Sequence, residues 1–136
     1  MIKRKIITLI PSATEIISFL GLKNQLVGVS HECDFPKEVK EIKKLTKTNI
    51  KTNISSFDIN LQIEKILKNS LSVYEVDEKS IKNIKPDVII TQDHCNVCAV
   101  SLEQVKKITN NYIDKEIDII SLHPKNLQNI FEDIET

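Results

Sequence analysis

The sequence predicts an α/β fold, with a parallel sheet covered by helices on both faces. Short Ile/Val-rich runs alternate with segments of helical periodicity along the chain. Each run is almost continuously apolar rather than alternating, as in strands buried on both sides. The chain has 136 residues, 40% hydrophobic and 28% charged, which is enough for one domain whose core needs no disulfide or metal.

Lys5 to Ile10 is a β-branched run ended by Pro11, and Ser12 to Glu15 offers a capping box for a helix running to Gly21. Leu26 to Ser30 reads as a second buried strand. The polar loop His31 to Pro36 follows, then a short charged helix from Glu38 to Lys44. Lys47 to Ser56 reads as a loop. From Phe57 the residues Ile59, Ile63, Ile66 and Leu67 fall on one helical face until about Asn69. Leu71 to Val76 is extended, and Asp77 caps a brief helix ending before Pro86.

Asp87 to Gln92 is the next strand, with Asp93 to Cys98 as its exit loop. Ser101 caps a helix that has Glu103 in its first turn and Leu102, Val105 and Ile108 turned inward. Ile117 to Leu122 is the last strand. A terminal helix is expected from His123-Pro124, and its stripe Leu127, Ile130, Phe131 and Ile134 has no closing glycine or asparagine. Such a face must bury against a second lobe, a partner, another copy or the sheet itself. The chain therefore reads as part of something larger.

Composition narrows the function. Lys plus Arg and Asp plus Glu number 19 each, so no basic face is available for nucleic acid. The 2 glycines are isolated, which removes dinucleotide fingerprints and phosphate loops. Three cysteines make no disulfide framework and are expected to be reduced. The apolar run Ile6 to Ile10 is too short for a signal peptide, and no stretch approaches the roughly 20 apolar residues that span a bilayer, so the chain as given reads as cytoplasmic. No nucleophile–base pair or paired carboxylates stand out, and no enzyme is expected.

In an open parallel sheet, ligands sit beyond the carboxyl ends of the strands. On this strand assignment every histidine and cysteine falls on that edge: His31 and Cys33 after the second strand, His94, Cys95 and Cys98 after the third, and His123 after the last. Pro11, Ser12, Ala13 and Thr14, at a helix start, share it with Glu32, Asp34 and Asp93. The Cys95-x-x-Cys98 pair is half a zinc signature, so a Zn or Fe site built from Cys33, Cys95, Cys98 and His94 stands as an alternative to a ligand cleft.

Several segments carry a family resemblance. Ile7 to Glu15 (ITLIPSATE), Gly28 to Pro36 (GVSHECDFP), Lys85 to Gln92 (KPDVIITQ) and Cys95 to Ala99 (CNVCA) resemble the amino-terminal lobe of the cobalamin and iron-siderophore substrate-binding proteins of ABC importers. The cobalamin-binding members are the nearest in pattern, and the likeness runs from Lys5 to about Phe131. The resemblance implies two Rossmann-like lobes joined by a rigid helix, with the ligand held between them. Residues 1–123 would be the amino-terminal lobe and 124–136 the start of the interlobe helix, the second lobe being absent. It further implies non-catalytic corrinoid binding with no required cofactor. Pro11 to Thr14 would form the first cleft loop, Glu32 to Pro36 the second, and Gln92 with Asp93 the third. The common edge of the histidines and cysteines, apart from the resemblance, suggests His94 or a cysteine in place of a weak axial ligand on cobalt. Glu32 and Gln92 are polar where cobalamin-binding members carry aromatic residues. Glu103 would be the glutamate that docks an ABC permease, and the location would be periplasmic or cell-surface.

Overall fold

A computed structural model describes residues 3–51, 53–68, 73–93, 100–112 and 116–136. Strand β1 (Ile6–Thr8) is followed by helix α1 (Pro11–Phe19), strand β2 (Leu26–Val29), a 3-10 turn at Lys37–Glu41, and strand β3 (Thr46–Thr48). Helix α2 (Ser56–Lys68), strand β4 (Tyr74–Val76) and helix α3 (Glu78–Ile84) come next. The chain finishes with strand β5 (Val88–Gln92), helix α4 (Leu102–Tyr112), strand β6 (Asp118–Leu122) and helix α5 (Leu127–Glu135).

Four strands form a sheet in the order β2-β1-β5-β6, and each of its pairings is parallel. Successive side chains on a strand point to opposite faces, and here both faces are buried. Ile6, Val88 and Ile90 join Ala13 and Ile17 of α1 on one side. Ile7 and Ile89 join Ile81 of α3 and Val105 and Ile108 of α4 on the other. That two-sided burial is why the strands read as unbroken apolar runs. It confirms the expected α/β architecture, with helices on both faces.

Local chemistry sets the ends of the helices. The capping box expected at Ser12 does not form: α1 starts at Pro11, and its N-cap, two residues before Ser12, is extended Ile10, which makes no side-chain hydrogen bond. Proline suits the first helical position because its φ is already helical and its missing N–H costs nothing there. At the other end Gly21, at φ +75°, lets its own N–H reach Ser18 O (3.1 Å) and that of Leu22 reach Ile17 O (3.0 Å), closing the helix. Asp77 caps α3 as expected, accepting from Ser80 N at 2.9 Å, and Ser101 caps α4 through Gln104 N at 3.2 Å.

Three other expectations are corrected. The charged helix read from Glu38 to Lys44 is only the 3-10 turn, and the chain is extended again at Ile42. The loop read from Lys47 begins instead as β3, which pairs antiparallel with β4. The last helix begins at Leu127, capped by Asn126 through Asn129 N at 3.0 Å, and not directly after His123-Pro124. Asn126 supplies the oxygen that an N-cap needs, and proline at position 124 does not. The carboxyl end of α5 lies over α1: Asp133, Ile134 and Thr136 line a cavity of about 70 Å³ with Ala13, Ile16, Leu20 and Ile120. Leu127, Ile130 and Phe131 of α5 remain exposed, Leu127 by 68%.

Candidate functional site

From β1 the chain moves to β2 on one side, then later enters β5 on the other side of β1. This reversal is a topological switch point, where loops leaving neighbouring strands diverge and open a crevice. It lies between the carboxyl ends of β1 and β5. Helix α1 starts there, and Ser12 and Ala13 follow Pro11 in its first turn, whose amides have no intrahelical acceptor. On the β5 side Gln92 is half-buried and Asp93 exposed. Thr91 Oγ1 donates to Val100 O at 2.6 Å, and Gln92 bridges to Ser101, so α4 is rooted at the same end of β5.

The residues expected on this edge divide by burial. Pro11 is half-buried and Ser12 exposed, whereas Ala13 and Thr14 are core residues, Ala13 facing the sheet in the α1 cluster. Thr14 Oγ1 lies 2.7 Å from Thr8 Oγ1 and 3.0 Å from Cys33 Sγ. Cys33 is therefore not a rim residue. It packs with Ile10, Ala13 and Val39 in the core, and burial pushes its thiol pKa up despite the Thr14 hydrogen bond. A buried thiol whose pKa is raised is a poor nucleophile at neutral pH. The pair Thr14 and Cys33 instead ties the start of α1 to the loop after β2.

That loop is held from several directions. Lys44 Nζ donates to Cys33 O at 2.6 Å and to Val39 O at 3.4 Å, and the Phe35-Pro36 peptide is cis. Glu32 and Asp34 are exposed on it. His31, half-buried, donates its N–H to Thr46 Oγ1 at 3.0 Å, and its Nδ1 lies 2.7 Å from the same oxygen. The Tyr74 ring is tilted against His31 at 5.6 Å between centroids, and its hydroxyl donates to Glu32 Oε1 at 3.4 Å. Thr46 and Tyr74 were missed by the sequence reading. The only signal for them was a short β-branched run and a single aromatic residue in an extended piece.

His31 and His123 do not meet at one point. His31 follows β2 and the exposed His123 follows β6, the two outer strands of the sheet, roughly 14 Å apart at strand spacing. His94, Cys95 and Cys98 lie outside the described residues. Among the described residues no three His, Cys, Asp or Glu side chains converge as a metal site. Glu103 is exposed in the first turn of α4. No helix among the described residues is long and apolar enough to cross a membrane.

Comparison with known structures places this arrangement. The periplasmic vitamin B12-binding protein BtuF of Vibrio cholerae superposes with a TM-score of 0.64 at 23% identity, over 98% of this chain and 40% of that one. The chain has the fold of one lobe of a periplasmic solute-binding protein. A protein of Staphylococcus epidermidis, described as a possible iron-binding periplasmic solute-binding protein, matches the lobe with a TM-score of 0.63 at 21% identity, over 97% of this chain and 40% of that one.

In sequence the lobe is 29% identical over 105 residues to the uncharacterized ABC transporter substrate-binding lipoprotein YvrC of Bacillus subtilis (strain 168), covering 77% of this chain and 24% of that one. No protein-family model matches the sequence. The lobe thus spans about a quarter of the curated relative and two fifths of the solved chains. The likeness to ABC-importer substrate-binding proteins carried by the motifs holds in both sequence and fold, and these relatives are named as binding proteins, not enzymes.

Proposed function

We propose that the chain is the amino-terminal lobe of a non-catalytic receptor that binds a corrinoid and delivers it to an ABC permease outside the cytoplasm. One observation carries this reading: the switch point between β1 and β5 sets the first turn of α1 beside the His31–Asp34 loop on a fold that fills two fifths of a vitamin B12-binding chain. The Ser12 and Ala13 amides, the half-buried Gln92 and the exposed Asp93 offer polar contacts to the rim of a large ligand. Residues 1–123 form the lobe, and α5 begins the helix that leads to a second lobe, which covers the exposed Leu127 and Phe131 and supplies the other wall of the cleft. Glu103 is the docking glutamate.

A single wall gives weak binding, because half the contact area is missing while the entropy of association is still lost. Titration of the chain with aquocobalamin, dicyanocobinamide, haemin and ferric citrate, followed by calorimetry and visible absorbance, tests the reading. Saturable binding of the corrinoids in preference to the other two is expected. Preference for haemin or the iron chelate keeps the receptor and overturns the corrinoid. Failure of all four to bind overturns the receptor.

A further inference from the structure

We propose that His31 meets the ligand as a hydrogen-bond donor through Nε2–H, its tautomer fixed by a relay of buried hydroxyls, and that it recognises an oxygen acceptor on the ligand rather than the ligand's metal. The ligand half of this proposal rests on the receptor reading above; the tautomer half does not.

The relay follows from counting donors and lone pairs. Ser30 and Thr46 are both buried, 3% and 7% exposed. Among the described residues Ser30 Oγ has two polar neighbours, Thr46 Oγ1 at 3.1 Å and the amide of Glu32 at 3.4 Å. The amide can only donate, so Thr46 Oγ1 is the one acceptor open to the Ser30 hydroxyl proton. Thr46 Oγ1 also accepts the His31 backbone N–H at 3.0 Å. Both of its lone pairs are then filled, and its own proton has one remaining destination, His31 Nδ1 at 2.7 Å. Nδ1 is therefore an acceptor, and the imidazole proton sits on Nε2. The other tautomer would either aim a third donor at Thr46 Oγ1 or, with the Thr46 proton turned to Ser30, leave the buried Ser30 hydroxyl without an acceptor, which is worth a preference on the order of 10-fold.

Nε2 has no partner among the described residues. His31 stands at the carboxyl edge, two residues past the end of β2 and beside the exposed Glu32, with Tyr74 against its ring. A protonated Nε2 offers no lone pair to a metal. It suits the carbonyl of an amide or a carboxylate, oxygens that large metal chelates carry at their periphery.

Two measurements test this. In ¹⁵N-labelled chain at about pH 8.5, where free imidazole is neutral, long-range proton–nitrogen correlation reads the tautomer of His31, assigned by His31→Gln. The expected spectrum shows Nε2 protonated and Nδ1 bare. Thr46→Val should give a mixture, and Thr46→Ser should restore the single form. If Thr46→Val does not fold, Ser30→Ala supplies the same readout, because it releases the Thr46 proton from its forced path. A proton on Nδ1, or tautomer populations indifferent to these changes, overturns the relay.

The second measurement titrates aquocobalamin into each variant. His31→Gln, which keeps a donor, should bind within about 2-fold of the parent, and His31→Phe about 10-fold more weakly, with the corrin bands unchanged throughout. A band shift that depends on His31 marks cobalt ligation and overturns the donor role. If the parent binds no corrinoid, the corrinoid reading fails, and the imidazole spectrum still decides the relay.

Discussion

Gly28 gives the sharpest test of the packing around the site. It sits buried in β2, and a Cβ added there would press on Leu45 Cδ1 well inside van der Waals contact, with Cγ at 2.9 Å and Ile7 Cγ1 at 3.4 Å. A side-chain tip can often swing away, but Leu45 is 0% exposed. It is tied at both backbone groups, its N–H to Val29 O at 2.9 Å and its carbonyl to Asp77 N at 2.8 Å. Two effects compete in Gly28→Ala. The methyl removes the conformational freedom of glycine from the unfolded chain, a gain of about 0.5–1 kcal/mol. Overpacking costs about 1–3 kcal/mol, and the closeness of Leu45 sets it toward the upper end. The expected net is a loss of about 1–2 kcal/mol, or about 3–7 °C in Tm for a chain of this length.

Far-UV circular dichroism on heating and in urea reads both quantities. Leu45→Ala alone should cost about 2–5 kcal/mol. In the double variant the new methyl enters the space Leu45 leaves, so its loss should fall short of the sum of the single losses by about 1 kcal/mol or more. A Gly28→Ala chain as stable as the parent, or a strictly additive double variant, would refute the packing. Because Leu45 precedes Thr46, the same substitution should also disturb the anchor of His31.

The remaining predictions concern two titrating groups. Cys33, buried with its pKa raised by that burial, should resist iodoacetamide in the native chain and react only in denaturant, as read by peptide mass spectrometry. Since the folded state holds the thiol proton more tightly than the unfolded one, its contribution to stability is whole below the ordinary thiol range and falls as pH rises above it. Asp77 has a lowered pKa, first from the Ser80 side chain and then from its amide, so its contribution is present above the ordinary Asp range and is lost as pH falls through the depressed value. Asp77→Ala should cost about 1 kcal/mol in urea titrations near neutrality, and the gap to the parent should close on acidification.

The sheet was legible because two-sided burial leaves a plain mark: Ile6, Ile7, Ile89 and Ile90 must all be apolar when neither face meets water. The pair β3 and β4 was half hidden. Thr46 and Thr48 form three residues' worth of strand with Lys47 between them, too short and too polar to stand out from a loop. The start of α1 misled because Ser12 and Glu15 have the spacing of a capping box, while Pro11 fixes the first turn on its own. For the site, chain order alone placed His31, Gln92 and Asp93 at the carboxyl edge. It could not show that Cys33, two residues after His31, turns inward to Thr14, because inward and outward positions in an irregular loop follow no period. The role of Thr46 depends on contact across fifteen residues, which no local pattern records.

Strand β1 is central, yet one of its two neighbours is made far downstream: the Lys5 amide meets the Asp87 carboxylate across 82 residues, and Ile6 pairs with Val88. During synthesis β1 and β2 can associate early, but the other border of β1 stays open until β5 has left the ribosome. Until then the nascent chain exposes a bare, isoleucine-lined backbone edge of the kind that templates intermolecular pairing. Chaperone occupancy of that border would be expected to end only once the Asp87–Gln92 segment has emerged.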